Sequence, residues 1–368
     1  MSEPDLALPR GKERMQFLDW TRGTAALIML QGHSFHAMLT ESERQGDVYT
    51  LSQFIGGLPA PIFLFLTGVT LAFLLDGQEK RGVDPMGRFA AALRRAGYLL
   101  LLAFAVRVQA FLFALPWSRW EDLLRVDVLN CMGVSLALLA FSAFFTTQER
   151  VKLGLTCGTL IAILSPVISG FSWEQSPALL RGYIEPHNEF FGFFPWASFT
   201  AFGMSFGSML RLAPREELNR FMQWTALAAF GIILVAGYFS FIPFSVYQNS
   251  SFWVNSPGLV FIKVGIILLL IVFAYLWLSF LPGRRGSFVT LLGTSSLLVY
   301  WTHLEIVYGR WFWDWKQKLS VAETAVFSLV LIAAMCGLAW VWRHRAEWGT
   351  NLLGVRRWLP RRAAEPES

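Results

Sequence analysis

Asp19-Trp-Thr-Arg22-Gly-Thr-Ala-Ala-Leu-Ile-Met-Leu-Gln-Gly-His33-Ser-Phe-His36 is an apolar run with an arginine at one end and two histidines toward the other. On a helix, eleven positions separate Arg22 from His33. At about 100° per residue the two side chains share one face, roughly 16 Å apart along the axis. His36 lies one turn further and about 60° off that line. A helix facing only lipid gains nothing from such a line, because a charged side chain costs about 2.5 kcal/mol or more at mid-bilayer. Two readings stand at this point. Either a catalytic histidine is buried above a cationic entrance, or an arginine snorkels to the headgroups while the histidines are satisfied between helices.

Working outward, the same apolar character fills the chain. Its 368 residues are 55% hydrophobic and only 15% charged, with a mean hydropathy of +0.47. Soluble domains carry about 25% charged residues. The composition therefore predicts an all-α, polytopic integral membrane bundle. Runs of about 20 apolar residues place ten spans near 17–38, 51–75, 91–114, 126–146, 151–170, 191–210, 221–242, 257–281, 288–309 and 320–342. This divides the chain into a tail at 1–16, a membrane domain at 17–342 and a basic tail at 343–368. The first sixteen residues lack a signal-peptide apolar core, so the first span is expected to stay as an anchor.

Basic residues set the orientation. Twenty-one of them fall in the segments assigned inside, among them Arg88, Arg94, Arg95, Arg150, Arg211 and the arginines from Arg343 onward. Seven fall outside: Arg44, Arg119, Arg125, Arg181, Arg310, Lys316 and Lys318. The bias and its alternation predict an even number of spans with both termini in the cytoplasm. Because the cations are divided among short loops, the net charge of +6 does not point to nucleic acid. Cys131, Cys157 and Cys336 lie far apart in apolar segments and read as packing residues.

With this orientation, four of the five histidines gather in the outer half, including His33, His36, His187 and His303. His33 suits a general base or a transient acyl acceptor. His303, in Ser295-Ser-Leu-Leu-Val-Tyr300-Trp-Thr-His303-Leu-Glu305, is preferred over Glu305 for the same site, since residues two apart on a helix point to opposite sides. Asp127 in Arg125-Val-Asp127-Val-Leu-Asn130 either orients a histidine or acceptor, or simply caps a helix. Arg107, deep in the third span, requires a partner, for which Asp127 is a candidate. On the inner side, Arg88, Arg94 and Arg95 either hold the phosphates of a nucleotide-linked donor or merely obey the positive-inside rule. The run Pro59-Ala-Pro61 through Gly68 predicts a span that starts bent and packs closely at Gly68. No HxxxH or HExxH spacing is present and no metal is expected; Walker A and GxGxxG motifs are also absent.

Leu18-Asp19-Trp-Thr-Arg22-Gly23 followed by His33 resembles the Arg-(ten residues)-His pattern of the transmembrane acyltransferase superfamily. That superfamily includes acyltransferase-3 proteins and the heparan-α-glucosaminide N-acetyltransferases. Four further stretches resemble the bacterial relatives of the second branch: Pro61-Ile-Phe-Leu-Phe-Leu-Thr-Gly68, Arg125 to Val134, Phe194-Pro195-Trp196, and Ser295 to Glu305. The resemblance extends from about residue 14 to 310. It implies transfer of an acetyl or other acyl group from cytoplasmic acyl-CoA, chiefly acetyl-CoA, to an amine or hydroxyl of a glycan-type acceptor outside. By similarity His33 is the catalytic histidine and Arg22 its motif partner; in the mechanism this suggests, His303 or Asp127 would orient the acceptor. Arg22, Arg88, Arg94 and Arg95 would contact the donor. His36, Arg107, Asn130, His187 and Glu305 would border the acceptor. Acyltransferase-3 proteins carry an Arg-x-x-Arg pair in an early span, for which Arg88 and Arg94-Arg95 are only a near equivalent. Besides the bilayer, a second copy of the chain is compatible with its apolar surface. The reading from another class is a transporter or permease, in which the same polar line would conduct substrate and protons; the missing inverted repeat counts against it.

Overall fold

The computed structural model describes residues 15–184, 191–242, 247, 250–280 and 287–352. Among the described residues the chain forms thirteen α-helices and no strand, apart from one isolated parallel bridge between Leu39 and Leu319. They are α1 (Gln16–Met38), α2 (Gly46–Gly56), α3 (Pro59–Glu79), α4 (Pro85–Phe113), α5 (Val128–Leu139), α6 (Thr147–Ile168) and α7 (Ala178–Ile184), then α8 (Phe193–Leu212), α9 (Leu218–Ser240), α10 (Pro257–Phe280), α11 (Phe288–Thr294), α12 (Ser296–Tyr308) and α13 (Val321–Leu352).

Local chemistry sets several boundaries. Asp84 caps α4 by accepting from the Gly87 amide, with Pro85 in the first turn. Thr146 and Glu149 cap α6 reciprocally, as Ser320 and Glu323 do for α13. Gly57 and Pro59 separate α2 from α3, giving the bent start expected there. Ser295 separates α11 from α12.

Every apolar run read from the sequence coincides with a helix or a helix pair. Among the described residues, six segments are long and apolar enough to cross a membrane: Tyr49–Glu79, Pro85–Phe113, Thr147–Ile168, Arg215–Ser240, Pro257–Phe280 and Val321–Arg345. The sequence expectation of ten spans thus exceeds what length and composition of the helices support directly. The difference has a packing cause. Helix α8 is lined with Ser198, Thr200, Gly203, Ser205 and Gly207, all buried against its neighbours, so it needs no lipid-compatible surface. Helix α1 carries the polar line described above, and the α11–α12 pair is interrupted. By contrast, α9 exposes Leu227, Phe230, Leu234 and Val235, and α13 exposes Val326, Leu329 and Val330, as lipid-facing helices do.

Small residues bring backbones into contact. A Cβ on Gly68 would lie 1.9 Å from the Thr200 carbonyl oxygen, and one on Gly203 the same distance from that of Phe65, which locks α3 to α8. Gly154 and Gly158 seat α6 on α8 in the same way. Gly23 and Gly293 let α1 and α11 touch: their added Cβ atoms would meet the oxygens of Val289 and Asp19 at 1.8 and 1.9 Å. This last contact aligns α1 with the helix pair that bears His303.

Candidate active site at the end of the first helix

Helix α1 runs unbroken from Gln16 to Met38, so Arg22 and His33 do share a face. The far end of α1 is held by backbone pairing with the loop before α13. Leu319 N–H donates to Met38 O (3.0 Å), Gln317 N–H to Ala37 O (3.1 Å) and Thr40 N–H to Leu319 O (2.9 Å). The Arg44 guanidinium donates to the His36 and Leu39 carbonyls, closing the helix end.

His33 Nδ1 lies 2.9 Å from His303 Nε2, and the rings stack with centroids 5.1 Å apart. His303 Nδ1 in turn lies 2.7 Å from the Val299 carbonyl oxygen. A carbonyl only accepts, so His303 Nδ1 carries the proton, and in the neutral ring its Nε2 is a bare acceptor. His33 Nδ1–H therefore donates to it, leaving His33 Nε2 with a free lone pair. His303 is fully buried while His33 is half-buried, so His33 is the member of the pair that a ligand can reach. The ring of Tyr308 stands edge-on to His33 at 5.4 Å, and its hydroxyl lies 3.1 Å from His36 Nδ1. Tyr300 packs against His303 at 5.9 Å.

Asp127 does not orient a histidine. One of its oxygens accepts from the Leu129 and Asn130 amides at the start of α5, and the other meets Arg107 Nη2 at 3.3 Å. The helix cap and the Arg107 partnership are thus both realised, and the orienting group for the histidine pair is a backbone carbonyl instead. Asn130 accepts from the Asp127 amide and donates to the Tyr183 hydroxyl at 3.1 Å. Burial pushes the Tyr183 phenol above its usual range, so it stays protonated. Tyr300 lies within electrostatic reach of Asp127 and Arg107, which brings this cluster and the histidine pair to one region.

Glu305 points away from His303, as two-residue spacing requires. It accepts from Gln109 of α4 at 3.2 Å, while Gln109 accepts from the Trp301 indole at 2.7 Å. His187 lies outside the described residues.

Arg88, Arg94 and Arg95 do not form one cradle. Arg88 is buried and paired with Glu79 at 3.0 Å, Arg94 is exposed, and Arg95 turns inward to donate to the Thr70 hydroxyl at 2.8 Å. The cause is helical phase: Arg88 and Arg95 are seven apart and share a face, while Arg94 sits about 100° away. Arg22 pairs with Asp19 at 3.3 Å and lies close enough to Arg95 for their charges to interact. Arg95 has no carboxylate at ion-pair distance among the described residues. Among these residues, no three His, Cys, Asp or Glu side chains gather as a metal site would require.

Tyr300, Tyr308, Gln109, Tyr183 and the Val299 carbonyl were not singled out by sequence reasoning. Tyr308 is five residues beyond His303 and had no spacing cue; Gln109 could have been noticed as a second polar residue two positions from Arg107.

Polar groups from α1, α4, α5 and α12 thus converge within an all-helical membrane protein, with a histidine pair whose outer nitrogen is unengaged. A family model described as heparan-alpha-glucosaminide N-acetyltransferase, catalytic, matches residues 14–249, well over half of the chain. The chain belongs to this family, which places it among membrane acetyltransferases. His33, Arg107 and Asp127 fall within the matched residues, and His303 beyond them. No curated protein matches the chain.

Proposed function

We propose that the protein is a ten-span inner-membrane acetyltransferase with both termini in the cytoplasm, moving an acetyl group from cytoplasmic acetyl-CoA to an amine or hydroxyl of a glycan-type acceptor outside. The observation that carries this reading is the hydrogen-bonded chain from Val299 O through His303 to His33, which leaves His33 Nε2 as an aligned base. In this account the acceptor attacks the thioester carbonyl while His33 Nε2 takes its proton. The CoA thiolate then leaves and is protonated. His303 holds the ring and shares the charge that develops on His33. The alternative two-step route passes the acetyl group through His33 itself, again at Nε2, the nitrogen that is not engaged.

Arg22 and Arg95 are proposed to meet the donor phosphates. Two neighbouring guanidiniums, one of them bonded only to a hydroxyl, suit a phosphate better than they suit each other. Arg94, facing outward from α4, is assigned to the headgroup region instead, and Arg88 to the ion-pair network of the helix ends. On the acceptor side the Asp127–Arg107 pair and the Asn130–Tyr183 bond offer polar groups beside Tyr300, with His36 at the exposed rim. Glu305, fixed by Gln109, stands on the opposite side of α12.

Thermal unfolding of the detergent-purified protein across an acetyl-CoA titration tests this reading. A ligand at 100 times its dissociation constant stabilises by roughly 2.7 kcal/mol. A saturable rise, lost in Arg95→Gln, is expected; no response at millimolar acetyl-CoA in folded protein would favour a permease.

A further inference from the structure

The helix ends opposite the histidine pair carry an uneven charge balance. Asp76 accepts from Arg211 Nε at 2.5 Å, from Lys80 at 3.1 Å and from the Thr147 hydroxyl at 3.2 Å. Glu79 accepts from Arg150 at 2.8 Å and from Arg88 at 3.0 Å. Arg150 is fully buried, and its Nε is held by the Ser142 carbonyl. Four cations thus share two carboxylates. Glu149 at the edge accepts from Thr146 and lies within charge range of both Lys152 and Arg150; counted together with Lys152, it leaves the cation excess unchanged. Of these cations only Arg88 and Arg150 are buried, so the groups within reach of an added anion are Lys80 and Arg211.

A space for that anion is present. A cavity of about 390 Å³ opens beside the network, lined by Asp76, Glu79, Lys80, Thr147, Gln148 and Arg211. The first turn of the 22-residue α6 forms part of its wall, and the Thr147 and Gln148 amides there have no acceptor within the helix. Lys80 and Arg211 remain partly exposed, with side chains 59% and 32% accessible.

We propose that this cavity is a phosphate-binding site, with the anion held between Lys80, Arg211 and the first-turn amides of α6. Helix-start amides and paired cations are the groups that recognise phosphate oxygens. Two sources present that chemistry: a free nucleotide such as CoA, and the headgroup of an anionic lipid. The site is separate from Arg22 and Arg95. It does not depend on the acetyl-transfer reading; only its assignment to the cytoplasmic leaflet rests on the orientation proposed above.

The test uses the full chain in two arms. In detergent, CoA and dephospho-CoA are titrated against thermal unfolding; in nanodiscs, phosphatidylglycerol is compared with phosphatidylcholine. In at least one arm, the anionic probe (CoA, or phosphatidylglycerol relative to zwitterionic phosphatidylcholine) is expected to raise the unfolding temperature. Affinity should fall about tenfold or more in Lys80→Gln/Arg211→Gln, as expected when charge-assisted contacts are lost. Lys80→Gln alone keeps the test valid if the double variant does not fold. A nucleotide response identifies the free source, and a phosphatidylglycerol response the lipid. No response in either arm, or responses undiminished in both variants, overturns the proposal. A CoA response abolished by Arg95→Gln but untouched by Lys80→Gln and Arg211→Gln, with no lipid effect, also overturns it while leaving the acetyltransferase reading standing.

Discussion

His33 and His303 are 270 residues apart in the chain, yet their ring nitrogens lie 2.9 Å apart, and the second ring is anchored to its own helix backbone at Val299. A fully buried histidine that bonds a carbonyl on one side has one tautomer available when neutral. That constraint passes to His33, which is left with a single bare nitrogen, Nε2. Much as a second group fixes the histidine of a hydrolytic triad, a backbone carbonyl does so here through an intervening ring.

His303→Ala should therefore lower kcat without abolishing donor binding. Loss of the partner that orients a metal-bound histidine costs about 10- to 100-fold, and a fall of that order is expected here. The check is a kcat and KM comparison for acetyl-CoA in protein of matched thermal stability; an unchanged kcat would show that His33 needs no orienting partner.

Asp127→Ala removes a helix cap and leaves Arg107 unpaired. A cap is worth about 1 kcal/mol, and breaking a largely buried pair adds more, so destabilisation of about 3 kcal/mol is expected. In Arg107→Ala/Asp127→Ala the loss should be smaller than the sum of the two single changes. Chemical denaturation of the four proteins in detergent measures the coupling.

Arg95→Gln should raise KM for acetyl-CoA with little change in kcat, since it removes a contact made equally to bound donor and transition state. Arg94→Gln, at an exposed position one residue away, should leave KM unchanged. Equal effects in the two variants would contradict the division of this pair.

Gly293→Ala should destabilise the protein by about 1–3 kcal/mol or more, because the new methyl would overlap the Asp19 carbonyl oxygen at 1.9 Å. Because the same contact aligns α1 with α11 and α12, activity should fall further than stability accounts for. Gly231→Ala, where nothing lies within 4 Å, serves as the control.

How far these features were legible in the sequence follows from the range of the forces involved. Hydropathy is local, and each apolar run did become helix. The bent start at Pro59 and the close contact at Gly68 also follow from residue type. Breaks such as Ser295 were not visible, because a single small polar residue in an apolar run interrupts a helix only when neighbours satisfy its backbone. The polarity of α8 obscured its central place: burial by other helices, not lipid, sets its composition. In the site, the shared face of Arg22 and His33 was legible from helical geometry alone. The bond from His303 to His33 needed tertiary packing between α1 and α12, and the grouping of Arg88, Arg94 and Arg95 in sequence concealed their three different directions.

The measurement that bears most directly on the account is single-turnover release of CoA from acetyl-CoA, with an amino-sugar and hydroxyl-sugar acceptor panel, comparing native protein with His33→Ala. General-base catalysis contributes about 10²- to 10⁴-fold. The account predicts acceptor-dependent CoA release that falls by at least about a hundredfold in folded His33→Ala protein still stabilised by acetyl-CoA. Release at the native rate in that variant would contradict it.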